Sequence, residues 1–274
     1  MFADLHLHTT ASDGNLKPRE VVARAKKAGF AVIAITDHDS LDGLEEAMWA
    51  AEEYGIEVIP GLELSALDGD QEIHFLGYFI NMHDERLKTT LTAIVNDREL
   101  RAERMIEKLN EIGCEIRSER VRKIAGSEFI GRPHIAKALV EKGYIDDLAE
   151  AFTEAYIGRN GRAYVERFRI NPSQAIELIK NAGGLAVLAH PGYLSDRSTL
   201  GEEDIRRYKK MGLDGIEVYY SRHTPNQVDL YKGIALKLKL LITGGSDCHG
   251  SDNGLMGCVK MSCKHVEALK NARV

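Results

Sequence analysis

Apolar and polar residues follow two different rhythms along this chain. Through the first 80 residues, short apolar runs alternate with longer amphipathic stretches. FADLHLH (2–8), AVIAIT (31–36), IEVIPGLELSA (56–66) and EIHFLGYFI (72–80) are rich in β-branched and aromatic residues and predict strands. PREVVARAKKAGF (18–30) and LEEAMWAAEEYG (44–55) lie between them and predict helices. Pro18 suits a first helical turn, while Gly29 and Gly55 suit C-terminal stops. The DGD stretch at 68–70 turns the third strand into the fourth.

The rhythm changes after residue 81. A long amphipathic helix is predicted over 87–113, and helical patterns continue through 130–145 and 146–158. Alternation of strand and helix then resumes. LAVLAHP (185–191), GIEVYYS (215–221) and LLITGGSDCHG (240–250) read as strands. Helices are predicted over 171–184, 202–212 and 225–239, the first with Asn171 as N-cap and Pro172 in its first turn. Repeated βα units imply parallel strands with helices outside, and there are too many for a small open sheet. The expected architecture is a barrel-like α/β fold built from residues 1–84 and 166–274, with a helical insertion over 85–165.

Composition narrows the function. The chain has 274 residues, 44% hydrophobic and 28% charged, enough to bury a sizeable core. A net charge of -6 argues against a protein that coats long DNA. A small anionic substrate stays open, because bound cations invert the local sign. The four cysteines show no CxxC spacing and suggest reduced thiols in the cytoplasm. MFADLHLH lacks the charged and apolar regions of a signal peptide, and no apolar run reaches the roughly 18 residues of a membrane span. A soluble, cytoplasmic protein without membrane association is expected.

The informative chemistry lies where strands stop. His6 and His8 end the first strand, on one face by their i, i+2 spacing, and Asp13 follows on the loop. Asp37 and His38 follow the second strand, Glu63 lies on the third and His74 on the fourth. His190 ends a later strand, and Asp247 and His249 close the last. In parallel barrels the C-terminal strand ends carry the active site. One such histidine is more often a structural group than a ligand, but so many at one barrel mouth imply a multinuclear metal site. Imidazole mixed with carboxylate suits zinc, iron or manganese, and alternation turns Cys248 away. Such ions favour phosphoester hydrolysis, in which they activate water and clamp the attacking and leaving oxygens. Asp37 and His249 are candidate proton donors to the leaving group.

The HxH start, the DHD after the second strand, Glu63, the HP at 190–191 and the closing SDCH resemble the PHP (polymerase and histidinol phosphatase) superfamily over nearly the full length. Within it, the helical insertion and the GRPHIA segment (131–136) resemble the TrpH-like metal-dependent phosphoesterases. The resemblance implies a distorted (β/α)7 barrel with two or three divalent metal ions, usually manganese, with iron or zinc as alternatives. It implies one site of His6, His8, Glu63 and Asp247. Glu63 would bridge to a second site completed by His74 and His190, and Asp13, His38 and His249 would form a third. Many superfamily members have histidine where Asp13 stands, so a harder oxygen ligand implies a weaker or manganese-selective third site. Arg132 would grip a second phosphate, with His134 beside it. The implied substrates are nucleoside 3′,5′-bisphosphates such as 3′-phosphoadenosine 5′-phosphate, and also short RNA trimmed 5′ to 3′.

Ser65 is a candidate hydroxyl donor to substrate. Glu217 and Tyr219 share a strand face on simple alternation and, with Arg222 and His223, are placed to line the cleft. Arg159, Arg162, Arg167 and Arg169, interleaved with Tyr164 and Phe168, form a basic cluster with the charge and stacking groups for a nucleotide chain, although a solvated strand face is the simpler reading. The nearest rival function is a histidinol-phosphatase-type phosphomonoesterase. A metal-dependent amidohydrolase is more distant, because no lysine ends the early or middle strands to serve as its bridging group. A non-catalytic metal-binding module would not need every ligand to be intact.

Overall fold

The computed structural model describes residues 1–125, 130–166, 170–194, 196, 198–250 and 256–273, without the side chains of 98 and 99. In chain order the elements are β1 (Phe2–Leu7), α1 (Pro18–Lys27), β2 (Phe30–Ile35), α2 (Leu44–Tyr54), β3 (Glu57–Asp68) and β4 (Gln71–Tyr78). Then come α3 (Glu85–Glu111), α4 (Ser118–Ala125), α5 (Arg132–Glu141), α6 (Pro172–Asn181), β5 (Leu185–Leu188) and α7 (Glu202–Lys210). β6 (Gly215–Tyr220), α8 (Pro225–Leu238), β7 (Leu241–Gly245), β8 (Met261–Ser262) and α9 (Cys263–Asn271) complete the chain. They fall into two compact units, Met1–Thr89 with Arg169–Val274, and Thr90–Phe168.

The first unit is a nearly closed barrel of α/β type. Its strands run in the order β7-β6-β5-β4-β3-β2-β1-β8. β1, β2 and β3 pair in parallel, as do β5, β6 and β7. β4 runs antiparallel to both β3 and β5, which departs from an all-parallel reading. The cause is local: Gly69 and Asp70 are too few residues for a parallel crossover, which needs a dozen or more, so the chain doubles back. The two-residue β8, antiparallel to β1, is an eighth strand beyond the seven expected.

Closure depends on the meeting of the first strand with the segment after β7. The His8 amide donates to the Cys248 carbonyl at 3.1 Å, and the Asp247 amide to the His6 carbonyl at 2.9 Å. Gly245 allows this approach, since a Cβ there would lie 2.3 Å from the His6 Cβ. Beneath the mouth, Leu5, Ala34, Ile59, Leu76, Tyr78 and Val187 pack with Val266 and Leu269 of α9 in one apolar core. Helix ends follow the sequence signals. Asn171 accepts from the Gln174 amide with Pro172 at the first turn, and Gly55 closes α2 in the left-handed region.

The second unit has its own core, in which Met105 and Leu109 of α3, Val121 of α4, and Ile135 and Leu139 of α5 pack with Ile157. The helix expected over 146–158 is reduced to one 3-10 turn at Glu150–Phe152. The chain there folds back tightly on itself, and a Cβ at Gly158 would lie 2.2 Å from the Phe152 carbonyl oxygen. Among the described residues, no helix is long and apolar enough to cross a membrane.

Candidate metal centre

Five strand-borne or strand-following imidazoles converge on one fully buried carboxylate, and three more side chains surround them. Glu63 sits on β3, where inward residues alternate with outward ones, and neither its main chain nor its carboxylate reaches solvent appreciably. Its Oε1 lies 3.0 Å from His74 Nδ1 of β4 and 2.9 Å from His190 Nε2, just past β5. Its Oε2 lies 3.2 Å from His6 Nε2, 3.3 Å from His8 Nε2 and 3.2 Å from His38 Nδ1. Asp247 Oδ1 approaches His8 Nε2 at 3.1 Å and His6 Nε2 at 3.4 Å. Asp13 Oδ1 approaches His249 Nε2 at 3.2 Å and His8 Nδ1 at 3.6 Å, and its Oδ2 lies 3.9 Å from His38 Nε2.

Three sets of these atoms lie within 4.8 Å of one another: His6, His8, Glu63 and Asp247; His8, Asp13, His38 and His249; and His38, Glu63 and His74. The first matches one expected ligand set. The second adds His8 to the expected Asp13, His38 and His249. In the third, His38 stands where His190 was expected, although His190 touches the same Glu63 oxygen as His74. A neutral imidazole offers one lone pair, so His8 and His38 can each serve a single cation. Assigning His8 to the first set and His38 to the second uses each once.

Hydrogen bonding alone does not explain this arrangement. A carboxylate has about four acceptor directions, yet five imidazoles crowd Glu63. Both ring nitrogens of His8, Nδ1 of His38 and Nδ1 of His190 are buried without a hydrogen-bond partner among the described residues. His8 Nε2 is near two carboxylates but is not aligned to donate to either. Buried polar atoms are normally satisfied, so unpartnered ones mark a place for something else. Ligands at about 2.1 Å from a shared cation stand roughly 3.0–3.4 Å apart, which is the separation of His6 and His8 from Glu63 and Asp247. The donor set therefore fits divalent metal ions.

The electrostatics agree. Burial works to raise the Glu63 pKa, but His38, His6 and His74 beside it hold the carboxyl well below its usual range. Burial likewise opposes the charged forms of His8 and His74. The carboxylates of Asp247 and Glu63 nevertheless lift His8 to about 10, and those of Glu63 and Glu72 lift His74 to about 10. His38 goes the other way, to about 4, because burial dominates its opposing neighbours. Without a cation, protons on imidazole supply the positive charge that the carboxylates demand. Metal binding would displace them.

Two of the converging residues adopt left-handed backbone, His190 at φ 24° and Asp247 at φ 55°. Such strain clusters at functional sites, held by surrounding contacts. Those contacts include residues outside the expected set. Tyr220 donates its hydroxyl to Asp247 Oδ2 at 2.9 Å. Asp4 Oδ1 accepts from the Ser246 amide at 2.8 Å and, more weakly, from the His6 amide at 3.4 Å. Glu217 accepts from His6 Nδ1 at 3.0 Å and from the His190 amide at 2.8 Å.

Simple alternation had paired Glu217 with Tyr219. A register shift in β6 between these residues breaks that pattern. Tyr219 packs at a tilt against His265 of α9, with ring centroids 5.8 Å apart, and Tyr220 turns to the site instead. A bulge leaves no trace in hydrophobic periodicity.

Asp37 is held in a local hydrogen-bond network. Its Oδ1 accepts from the Thr9 amide and the Ser12 hydroxyl, both at 2.7 Å, and its Oδ2 accepts from the Thr9 hydroxyl at 2.8 Å. With three donors from Thr9 and Ser12 on one buried carboxylate, the geometry makes it the anchor of the 9–13 loop. Ser65 lies two residues beyond Glu63 on the same face of β3, in register with His74. Arg132 opens α5 in the second unit, its guanidinium 5.6 Å from the Phe152 ring centre. His134 Nδ1 accepts from the Gly131 amide at 3.1 Å, which closes the same helix start. Arg222 stacks on Tyr193 at 4.8 Å, and His223 Nε2 accepts from the Gly192 amide at 3.1 Å. In the basic cluster, Arg167, Phe168 and Arg169 lie outside the described residues.

Comparison with known proteins gives a consistent picture. The PHP domain family profile matches residues 4–211. The chain is 34% identical to a 5′-3′ exoribonuclease of Haemophilus influenzae, over 90% of this chain and 89% of the relative. It is also 34% identical to a 3′,5′-nucleoside bisphosphate phosphatase of Chromobacterium violaceum, over 92% and 88%. Among solved structures, a metal-dependent phosphoesterase of Bifidobacterium adolescentis superposes with a TM-score of 0.79 at 34% identity, covering 99% of this chain and 96% of the other. A structure described as an amidohydrolase of Chromobacterium violaceum, holding sulfate and no metal, superposes with a TM-score of 0.73 at 32% identity, over 92% and 89%.

Proposed function

We propose a substrate and a division of labour from one premise: this chain belongs to the PHP domain family and is a metal-dependent phosphoesterase. Its substrates are nucleoside 3′,5′-bisphosphates, from which it removes the 3′-phosphate, with 5′ to 3′ trimming of short RNA as a second activity of the same site. The observation that carries this reading is the single buried Glu63 carboxylate with five imidazole nitrogens within 3.3 Å. The names of two relatives, a bisphosphate phosphatase and an exoribonuclease, support the substrate class.

His6, His8, Glu63 and Asp247 hold one divalent ion. Glu63, His74 and His190 hold a second, and Asp13, His38 and His249 a third. Manganese is the preferred ion, with iron or zinc as alternatives. The half-exposed Asp13 makes the third site the weakest and the most manganese-selective. When bound, these ions supply an activated water near neutral pH and positive charge against the phosphoryl oxygens.

The chain's own groups do the rest. His249 donates its Nδ1 proton to the Asp247 carbonyl at 3.0 Å, which leaves Nε2 for Asp13, a cation or a proton. Burial opposes a charge on this ring, but the bond to Asp13 raises its pKa, so it holds a proton for the leaving oxygen whenever no ion occupies that position. The roles of ligand and acid exclude one another at any moment. Arg132 presents a planar fork to the second phosphate with His134 beside it, and Ser65 offers a hydroxyl from the Glu63 face of β3. The enzyme works in the cytoplasm, where small nucleotides and RNA ends occur.

Phosphate release by the manganese-loaded protein, compared across 3′,5′-bisphosphates, histidinol phosphate, short oligoribonucleotides and an amide panel, tests this reading. Bisphosphates should show the highest kcat/KM. A preference for histidinol phosphate would reassign the substrate, and turnover of amides without phosphate release would overturn the reading.

A further inference from the structure

Glu217 stands apart among the buried carboxylates at the barrel mouth. It belongs to none of the three candidate ligand sets, yet it is fully buried on β6 and each of its oxygens is committed. Oε1 accepts from His6 Nδ1 at 3.0 Å. Oε2 accepts from the His190 amide at 2.8 Å. The first contact fixes which nitrogen of His6 carries the proton. With Nδ1–H bound to Glu217, Nε2 is the nitrogen turned toward Glu63 and Asp247, at 3.2 and 3.4 Å, and the one that would offer its lone pair to a bound ion. The second contact holds the peptide at which His190 takes its left-handed φ of 24°. A histidine rarely adopts that conformation unless its surroundings enforce it.

We propose that Glu217 is the positioning residue that sets two metal sites at once, orienting the ring of His6 in one and the backbone of His190 in the other. The inference rests on the ligand reading given above. A single rigid carboxylate couples the sites: any shift of β6 that improves one contact must strain the other. Both residues on either side of it are within reach of Glu63, so His6, Glu217 and His190 form a closed loop around the shared space.

The test uses Glu217→Gln, which keeps volume and shape. A glutamine amide offers one acceptor oxygen and one NH2 group to two donors. One of the two contacts must therefore become donor against donor, and because one side chain makes both, the shift that relieves this clash displaces the other contact as well. Loss of such a partner to a metal-ligating histidine typically lowers metal affinity 10–100-fold. Zinc and manganese binding to the metal-stripped full chain is measured by calorimetry, with bound metal counted by elemental analysis. Thermal unfolding of the metal-free protein is followed alongside. Asp68→Asn serves as the control for simple destabilisation, because Asp68 pairs with Arg207 and Tyr208 at the β3–β4 hairpin, outside all the candidate ligand sets.

The expected result for E217Q is a drop of at least tenfold in affinity for both the first and the second ion, while D68N binds metal like the parent. In the zinc-loaded protein, 15N NMR should show the His6 ring changed in its Nδ1 signal. Unchanged affinity overturns the proposal, as does weakening confined to one ion. An equal loss in D68N at matched thermal stability shows a merely structural role and also overturns it. If the parent protein itself binds no metal, the ligand reading fails, and that outcome is seen before any variant is made.

Discussion

Replacing Glu63 with glutamine removes one charge and almost no volume, and its consequences can be worked out group by group. In the metal-free protein Glu63 lies within 3.3 Å of five imidazoles and balances those that carry a proton. Two of them, His8 and His74, have folded-state pKa values of about 10 against an ordinary 6.5. A histidine pKa raised by folding contributes stability that is fully present below 6.5 and is lost as pH climbs through 10. The variant lacks much of this contribution. Removing one partner of a buried ion pair costs about 3–5 kcal/mol. In a unit of this size that corresponds to a Tm loss of roughly 6–20 °C. The loss should be largest near pH 6 and should shrink toward pH 10, where the parent histidines also give up their protons.

Metal binding reverses the dependence, because ions displace the same protons. Glu63→Gln should therefore bind fewer manganese ions, at least 10–100-fold more weakly, since a direct ligand matters no less than an outer partner. Unfolding of the metal-free parent and variant from pH 6 to pH 10, with bound metal counted, gives both quantities. A Tm difference that stays flat or grows with pH would refute the electrostatic argument. A variant that keeps its full metal complement and its turnover would refute the central role of Glu63.

Other expectations follow from the same geometry. Arg132→Ala should raise KM for a 3′,5′-bisphosphate at least tenfold more than KM for an aryl phosphate, measured on the manganese-loaded enzyme; equal effects would remove its role at a second phosphate. Adding manganese to metal-free protein at pH 7 should release protons, since His8 and His74 are still protonated there, and titration in weakly buffered solution should show less release as pH approaches 10. Tyr220→Phe should cost about 1.5–3 kcal/mol through the lost bond to Asp247, read as a lower unfolding temperature of the metal-free protein together with weaker metal binding. Gly245→Ala should destabilise the barrel by at least 1–3 kcal/mol in chemical denaturation, because the added methyl meets the His6 Cβ at 2.3 Å.

The sequence by itself determined a good deal. Hydrophobic runs bounded by glycine and proline placed nearly every barrel strand and helix, because burial and backbone freedom act over a few residues. Histidine and carboxylate at strand ends announced the metal chemistry, because the C-terminal end of a strand has one position in a barrel. Tertiary structure decided what those residues meet. The reversal of β4 came from a turn too short for a crossover, and the collapse of the 146–158 helix from close packing around Gly158. The bulge in β6 exchanged Tyr219 for Tyr220, Asp37 became a loop anchor, and Glu217 came to grip two histidines 184 residues apart in number. These are contacts between distant segments. Their angles and partners depend on how strands stack in register, which no local pattern of residues records.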